Sequence, residues 1–170
     1  MTMKSPRAAA AFSVDDLVVY PTHGVGQVTA IENQVLGGQQ VSLIVITFER
    51  ERMTLRVPMT KAKALGLRRV STRAVMAAAL TTLRGRRTTK RAMWSRRAIE
   101  YTAKINSGDP VSIAEVVRDL HRGPTQAEQS YSERQLYEQA CGRLTTELAA
   151  VEKIPHEAAV SRFEDLLNAA

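Results

Sequence analysis

Hydrophobic residues between positions 16 and 57 follow the spacing of β-strands. Short apolar runs alternate with turn residues, and none is long enough for a helix of several turns. The pattern predicts strands over residues 17–20, 27–35, 41–48 and 53–57. Because so short a segment cannot form a two-sheet sandwich, we expect a small, strongly curved barrel or half-barrel.

After Pro58 the apolar positions take up helical spacing and keep it to the end of the chain. The pattern predicts five amphipathic helices: one capped by Ser71 and ended by Gly85, one over 94–106, one over 110–120, one opened by a Ser132–Gln135 capping box, and one from about residue 155. None of them can bury its apolar stripe alone, so we expect them to pack as one bundle.

These two patterns predict an α+β protein, in which a small β-barrel domain precedes a compact all-α domain. We expect a flexible N-terminus over residues 1–11, the β domain over 12–60, a linker over 61–70 and the helical domain over 71–170. Only 5% of the residues are aromatic, which favours cores built from alanine, valine, leucine and isoleucine.

The composition argues against several classes of protein. The single cysteine, Cys141, cannot form an internal disulfide, and the three histidines lie too far apart in sequence for metal ligation. We therefore expect no metal and no cofactor. The longest apolar stretch is strand-sized, and the alanine run over 8–11 is too short for a signal peptide. We expect a cytoplasmic protein without membrane contact.

Charge is distributed unevenly along the chain. Residues 1–60 hold five basic and five acidic residues, whereas residues 61–105 hold thirteen basic residues and one acidic residue. Residues 106–170 hold six basic and eleven acidic residues. Such segregation is typical of a polyanion-binding site in one part of a chain. A solvated basic face without a partner is the alternative.

The basic segment centres on residues 84–97 and contains the only tryptophan of the chain, Trp94, at the predicted start of a helix. Arginines such as Arg96 and Arg97 bind phosphate through a planar fork, and a helix N-terminus adds free backbone N–H groups. An indole placed there can stack on an exposed base or wedge at a base step. The segment therefore predicts contacts to nucleic acid.

Trp94 has a second interpretation. Together with Ala98, Tyr101 and Ile105 it forms a stripe at helical spacing that would suit a hydrophobic core. Spacing alone leaves a core indole and a displayed indole equally open.

Arg56 is another candidate for binding a partner, because it projects from the polar face of the predicted fourth strand, between Leu55 and Val57. A displayed edge strand can pair with the edge of a partner's sheet, and an arginine can set the register. An ordinary surface arginine is the alternative.

No group of residues predicts an enzyme. His23 lies beside two glycines, but no phosphate-binding loop, nucleophile or acid pair accompanies it, so we interpret it as a turn residue. Cys141 lies between Ala140 and Leu144 of an amphipathic helix, where a cysteine usually packs as a small hydrophobic residue.

Five motifs follow one another along the chain: VVYPTHGVG at 18–26, LRVP at 55–58, WSRR at 94–97, NSGD at 106–109 and AEVVRDL at 114–120. In sequence and order they resemble the CarD/CdnL family of bacterial transcription regulators. The resemblance extends over nearly the whole chain from Phe12 onward.

The resemblance implies a Tudor-like first domain that is similar to the polymerase-interaction domain of the transcription-repair coupling factor and binds the β subunit of RNA polymerase. It implies a helical second domain that contacts promoter DNA at the upstream edge of the transcription bubble. In that arrangement Trp94 is displayed as a wedge in the opened minor groove, Arg96 supports it at the phosphates, and Arg56 contacts the polymerase.

The neighbours of these residues complete the two implied sites. The polymerase-binding residues are Arg56, Gln34, Val35 and Thr54, and the DNA-binding residues are Trp94, Arg96, Arg97, Lys90, Arg91 and Lys104. Two positions depart from well-known family members. Gln34 replaces an arginine that contacts the β subunit in some of them, and Ile99 replaces a lysine near DNA.

The sequence therefore predicts a monomeric, non-enzymatic regulator, located with RNA polymerase on the nucleoid, that stabilises the open promoter complex with little base readout. A free-standing basic nucleic-acid-binding protein without polymerase contact is the competing interpretation. Recovery of the β subunit from a nuclease-treated lysate distinguishes the two.

Overall fold

A computed structural model of the chain describes residues 12–88, 92–124 and 126–169. The described strands are β1 (Leu17–Tyr20), β2 (Gly24–Leu36), β3 (Gln39–Phe48), β4 (Met53–Pro58) and β5 (Arg68–Arg69). The described helices are α1 (Arg73–Leu83), α2 (Trp94–Asn106), α3 (Pro110–Leu120), α4 (Tyr131–Glu152) and α5 (His156–Asn168). Strands precede helices along the chain, so the α+β class predicted from the sequence is confirmed.

The strands form one antiparallel sheet in the order β4-β3-β2-β1-β5. In the described part of the chain β4 and β5 are the two edges and do not pair with each other. The sheet is therefore open, and the closed form of the expected barrel is not adopted. Strands β2 and β3 pair up to Leu36 and Gln39, because Gly37 and Gly38 have the positive φ that a two-residue hairpin needs.

One face of the sheet buries its own core. Val28, Ile44, Ile46, Phe48 and Val57 lie on this face. Gly26 of β2 brings the backbone close to it, since a Cβ at that position would lie 2.6 Å from Ile46 and 2.9 Å from Phe48. No larger residue fits there without displacing the core.

Residues 61–70, which the sequence predicts to be a linker, include part of the sheet. Arg68 and Arg69 form β5 and pair with β1. Ala62 and Leu67 are buried in the core of the sheet. The connection between the two units is therefore an ordered piece of the β unit.

The helices bury a second core, with α3 near its centre. Four α3 side chains, Ile113, Val116, Val117 and Leu120, are buried there with residues of α1, α4 and α5. Asp109 caps α3 by accepting a hydrogen bond from the Ser112 backbone N–H at 3.1 Å, and Pro110 follows at the first helical position, as the sequence predicts.

Two caps differ from the predicted ones. Helix α1 is capped by Thr72 and not by Ser71, because Ser71 donates from its backbone and its hydroxyl to the Glu147 carboxylate. Helix α4 is capped by Ser130, whose hydroxyl accepts from the Glu133 backbone N–H. The predicted Ser132–Gln135 box is wrong, since both residues lie inside the helix.

Helix α4 joins the two units by packing on the turns that connect β1 to β2 and β3 to β4. Arg143 donates to the backbone carbonyls of Pro21 and Thr22, and Arg50 donates to the Thr146 hydroxyl at 2.9 Å. Gly108 lies against Pro21 with a φ of 72°, where a side chain would be strained. The helical unit thus covers these turns, whereas the outer edge of β4 pairs with no other strand in the described residues. Among the described helices, none is both long enough and apolar enough to cross a lipid bilayer.

Candidate functional site

The β4 end of the sheet presents a polar face to solvent. Thr54 and Arg56 alternate with Leu55 and Val57 on β4, and the Arg56 side chain is 54% exposed. Because alternate residues of a strand point to one side, Thr54 and Arg56 lie on the face opposite the sheet core. The predicted display of Arg56 from a strand edge matches its position here.

Glu32 of β2 links two of the predicted polymerase-binding residues. Its Oε2 accepts from the Arg56 Nε and from the Gln34 Nε2, both at 3.4 Å. Within the described chain no other side chain bonds the Arg56 guanidinium, so its two terminal nitrogens point to no protein partner. Sequence analysis missed Glu32, although its spacing of two residues from Gln34 on a strand was a usable signal.

Apolar side chains of β3 lie beneath the polar residues on this face of the sheet. Leu43 and Val45 of β3 are 7% and 6% exposed and lie outside the core of the sheet. Val45 is the register partner of Arg56. Val35 is 67% exposed but follows Gln34 directly, so it points to the other side of β2. The structure therefore places Arg56, Gln34 and Thr54 on one face, where Glu32 links Arg56 to Gln34, and it places Val35 on the other face.

Trp94 is the first residue of α2, at the edge of the helical bundle. Its cap, Met93, makes no side-chain capping bond and is 80% exposed. The buried residues of α2 are Tyr101 and Ile105, further along the helix. The indole is half-buried and packs against Tyr101, with ring centroids 6.3 Å apart. Its burial is therefore intermediate between that of a displayed indole and that of a core indole.

Arg96 and Arg97 point in different directions. Arg96 is exposed, whereas Arg97 folds back over the Trp94 and Tyr101 rings, with its Cζ 5.6 Å and 5.7 Å from their centroids. Arg97 Nη2 also donates to the Tyr101 hydroxyl at 3.3 Å. Adjacent residues of a helix are rotated by about 100° from each other, which explains the separation.

The remaining residues predicted to bind DNA differ in whether their side chains are already paired within the protein. Lys104 donates from its ammonium to the Glu115 carboxylate at 2.7 Å. Ile99, which replaces the lysine of some relatives, is 72% exposed. Lys90 and Arg91 lie outside the described residues.

Further arginines lie near the part of the chain between α1 and α2. Burial lowers the pKa of Arg87 from its ordinary value, and the nearby Arg122 and Arg97 guanidiniums add to this effect. The buried Asp119 accepts from Arg118 Nε at 3.0 Å and from the Thr88 backbone at 3.1 Å. Asp119 therefore anchors the chain at Thr88, after the end of α1.

The two side chains considered for catalysis, His23 and Cys141, interact with neighbouring residues or are buried. His23 pairs with Glu51 at 3.0 Å. Burial raises the pKa of the Cys141 thiol to about 12, so the nucleophilic thiolate is disfavoured. Residues 12–88, 92–124 and 126–169 contain no cluster of three or more ligands suited to a metal ion.

Two family models match the chain. The CarD-like/TRCF RID domain matches residues 12–71, and the CarD C-terminal domain matches residues 78–164. The first match coincides with the β-sheet unit and the second lies within the helical unit.

Known proteins that are similar to this chain include a curated bacterial protein and a solved domain. The candidate transcription factor YdeB of Bacillus subtilis (strain 168) is 28% identical over 143 residues, which cover 84% of this chain and 94% of YdeB. The 72-residue N-terminal domain of Myxococcus xanthus CarD, solved by solution NMR, shares 32% identity over 41% of this chain and 92% of that domain, with a TM-score of 0.31.

Proposed function

The chain belongs to the CarD/CdnL family of transcription regulators, and from this premise we propose that it joins the β subunit of RNA polymerase to promoter DNA and stabilises the open complex. Its first unit is the RNA polymerase-interacting domain of that family. The proposal assigns the β-subunit contact to the β4 end of the sheet and the DNA contact to the start of α2.

The polymerase contact is supported by the face that carries Arg56. An exposed edge strand offers backbone hydrogen bonds to a partner strand, and the Arg56 guanidinium offers two unbonded terminal nitrogens within the described structure. Thr54 and Gln34 flank it on the same face. Val35 can take part only at the tip of the β2–β3 hairpin, since it points away from Arg56.

The DNA contact is supported by charge and by shape. The segment 61–105 holds thirteen basic residues against one acidic residue, and it contains the half-buried Trp94. Phosphate binding by such a segment depends on salt and little on base sequence. A half-buried indole at a helix end can stack on a base that is exposed where the duplex has opened.

The rigid attachment of the two units is the observation that carries the proposal. Arg68, Arg50 and Arg143 all cross the boundary with hydrogen bonds, so binding at the sheet places α2 at a set distance from the polymerase. A weak DNA contact then suffices, because tethering raises its local concentration. A wedge with higher affinity for opened DNA shifts the closed-to-open equilibrium by that difference.

The test is a pull-down with the full chain from a nuclease-treated bacterial lysate, followed by measurement of open-complex lifetime with purified polymerase. Enrichment of the β subunit and a longer lifetime are the expected results. Nucleic acid recovered without the β subunit would favour a free-standing nucleic-acid-binding protein. We further propose a monomer that is cytoplasmic and reaches the nucleoid through RNA polymerase, which sedimentation and fluorescence microscopy can check.

A further inference from the structure

Arg97 occupies a position that phosphate binding does not require. Its guanidinium lies over two aromatic rings at once, those of Trp94 and Tyr101, at 5.6 Å and 5.7 Å. The two rings are themselves 6.3 Å apart and tilted by 44°. One cation therefore contacts both members of an aromatic pair.

The hydrogen bonds of Arg97 lead to the same conclusion. Its Nη2 donates to the Tyr101 hydroxyl, and its Nε is buried without a hydrogen-bond partner among the described residues. An arginine arranged for phosphate presents its planar fork to solvent. Arg96, one residue earlier, is exposed and meets that requirement.

Tyr101 provides a fixed base for this arrangement. It is 1% exposed and belongs to the core of the helical bundle, so its ring and hydroxyl have little freedom to move. Trp94 is held less firmly, because it begins α2 and is only partly buried against that core, and its neighbour Met93 is exposed. Among the residues that the structure describes, the indole is held by Tyr101, Arg97 and the edge of the helical core.

We propose that Arg97 is a positioning residue: it clamps the Trp94 indole against Tyr101 in the orientation needed to meet opened DNA, and Arg96 makes the phosphate contact. This inference rests on the proposed function of Trp94 as the wedge. A guanidinium stacks on aromatic faces through its plane, which an ammonium lacks. A lysine ammonium at position 97 should therefore hold the indole less firmly than the planar guanidinium does.

Trp94 is the only tryptophan of the chain, so its fluorescence reports the clamp without a label. In Arg97→Lys the indole should become more accessible to acrylamide and its emission should move to longer wavelength. Tyr101→Phe should give a smaller change in the same direction, since it removes only the hydroxyl. Arg96→Lys is the matched control and should leave both signals unchanged. Circular dichroism verifies that each variant is folded. If Arg97→Lys does not fold, Tyr101→Phe still tests the inference.

The functional arm uses purified polymerase and a promoter. Arg97→Gln should shorten the open-complex lifetime by about 2- to 30-fold, the range equivalent to a cation–π contact, and Arg97→Lys should shorten it by less. The slope of log affinity against log salt for duplex DNA should stay unchanged in Arg97→Lys and also in Arg97→Gln. Arg96→Gln should make that slope shallower by about 0.9, the value for one lost phosphate contact.

Two results would overturn the positioning role. One is unchanged acrylamide quenching in folded Arg97→Lys and Tyr101→Phe proteins. The other is a slope that becomes shallower by about 0.9 in Arg97→Gln, which would make Arg97 a phosphate ligand. Trp94→Ala separates this inference from the proposed function. If that variant keeps the full open-complex lifetime, the wedge fails, while quenching still decides whether Arg97 clamps the indole.

Discussion

Arg68 and Glu147 form a two-bond ion pair across the boundary between the sheet and the helical bundle. The Arg68 Nη1 lies 2.7 Å from Glu147 Oε1 and the Nη2 lies 3.1 Å from Oε2. Ser71 donates to the same carboxylate twice, at 2.9 Å and 2.7 Å, and Arg68 also donates to the Gly108 carbonyl at 2.5 Å. This pair therefore ties β5, the start of α1, the α2–α3 corner and α4 together.

Glu147→Gln should lower the free energy of unfolding by about 2 kcal/mol, because hydrogen bonds to a charged group contribute about 1.5–3 kcal/mol and Glu147 is only 3% exposed. Urea denaturation measures this change. Glu138→Gln, an exposed position on the same helix, is the control and should change the free energy by less than about 0.5 kcal/mol. Equal stability of the two variants would show that the pair contributes little.

Arg56→Glu should abolish binding to the polymerase β subunit while the fold survives, since losing a charged interfacial contact typically costs about 2–5 kcal/mol. Titration of the β subunit measures the affinity. Arg162→Glu is a matched control, because Arg162 is 50% exposed and also lies near a glutamate. Wild-type affinity in a folded Arg56→Glu protein would contradict the assignment.

The double variant Arg56→Glu/Glu32→Arg separates the partner contact from the internal pair. Reversing both charges preserves an ion pair between β2 and β4, so the sheet should keep its wild-type melting temperature. Binding to the β subunit should remain lost, as the positive charge has moved to another strand. Restored binding would mean that Arg56 acts only by pairing with Glu32.

Trp94→Ala should lower stability by about 1 to 2 kcal/mol, less than the roughly 3–5 kcal/mol typical of a fully buried aromatic residue, because the indole is half-buried. The open-complex lifetime should fall about 5- to 150-fold, which corresponds to about 1–3 kcal/mol for stacking on a base. Thermal melting and lifetime are measured on the same protein. A stability loss typical of a core residue, with polymerase binding lost as well, would refute the wedge.

Lys104→Gln should weaken DNA binding less than Arg96→Gln does. Lys104 is already paired with Glu115 at 2.7 Å, so phosphate binding would have to break that pair, whereas Arg96 is exposed. The expected slope change is about one unit for Arg96→Gln and smaller for Lys104→Gln, measured by fluorescence anisotropy over a salt series. The reverse order would place the phosphates along the Lys104 side of α2.

Local signals predicted most of the secondary structure. The Gly37–Gly38 turn, the Asp109–Pro110 start of α3 and the bounds of β1 and α2 follow from interactions within a few residues, which the sequence lists directly. The Ser71 cap failed for the opposite reason. Ser71 is suited to capping, but Glu147, 76 positions later, accepts its hydrogen bonds.

In the candidate sites too, some features could be predicted from local spacing and others depended on tertiary contacts. Periodicity was enough to place Arg56 on an exposed face and Trp94 at a helix start, since each depends on the spacing of its own element. The bond from Arg56 to Glu32 required the register of three strands, and the pairing of Lys104 with Glu115 required the packing of α2 on α3.

The sequence by itself determined the order of strands and helices, the charge of each segment and the motifs that identify the family, because all of these reside in neighbouring residues. Only the tertiary structure decided whether the sheet closes, how deeply Trp94 is buried and that Arg97 lies over its ring. These depend on contacts between distant elements, such as Arg68 with Glu147, whose partners no local pattern specifies. The directions of Arg96 and Arg97 show this most simply, since adjacent and identical residues lie in different surroundings.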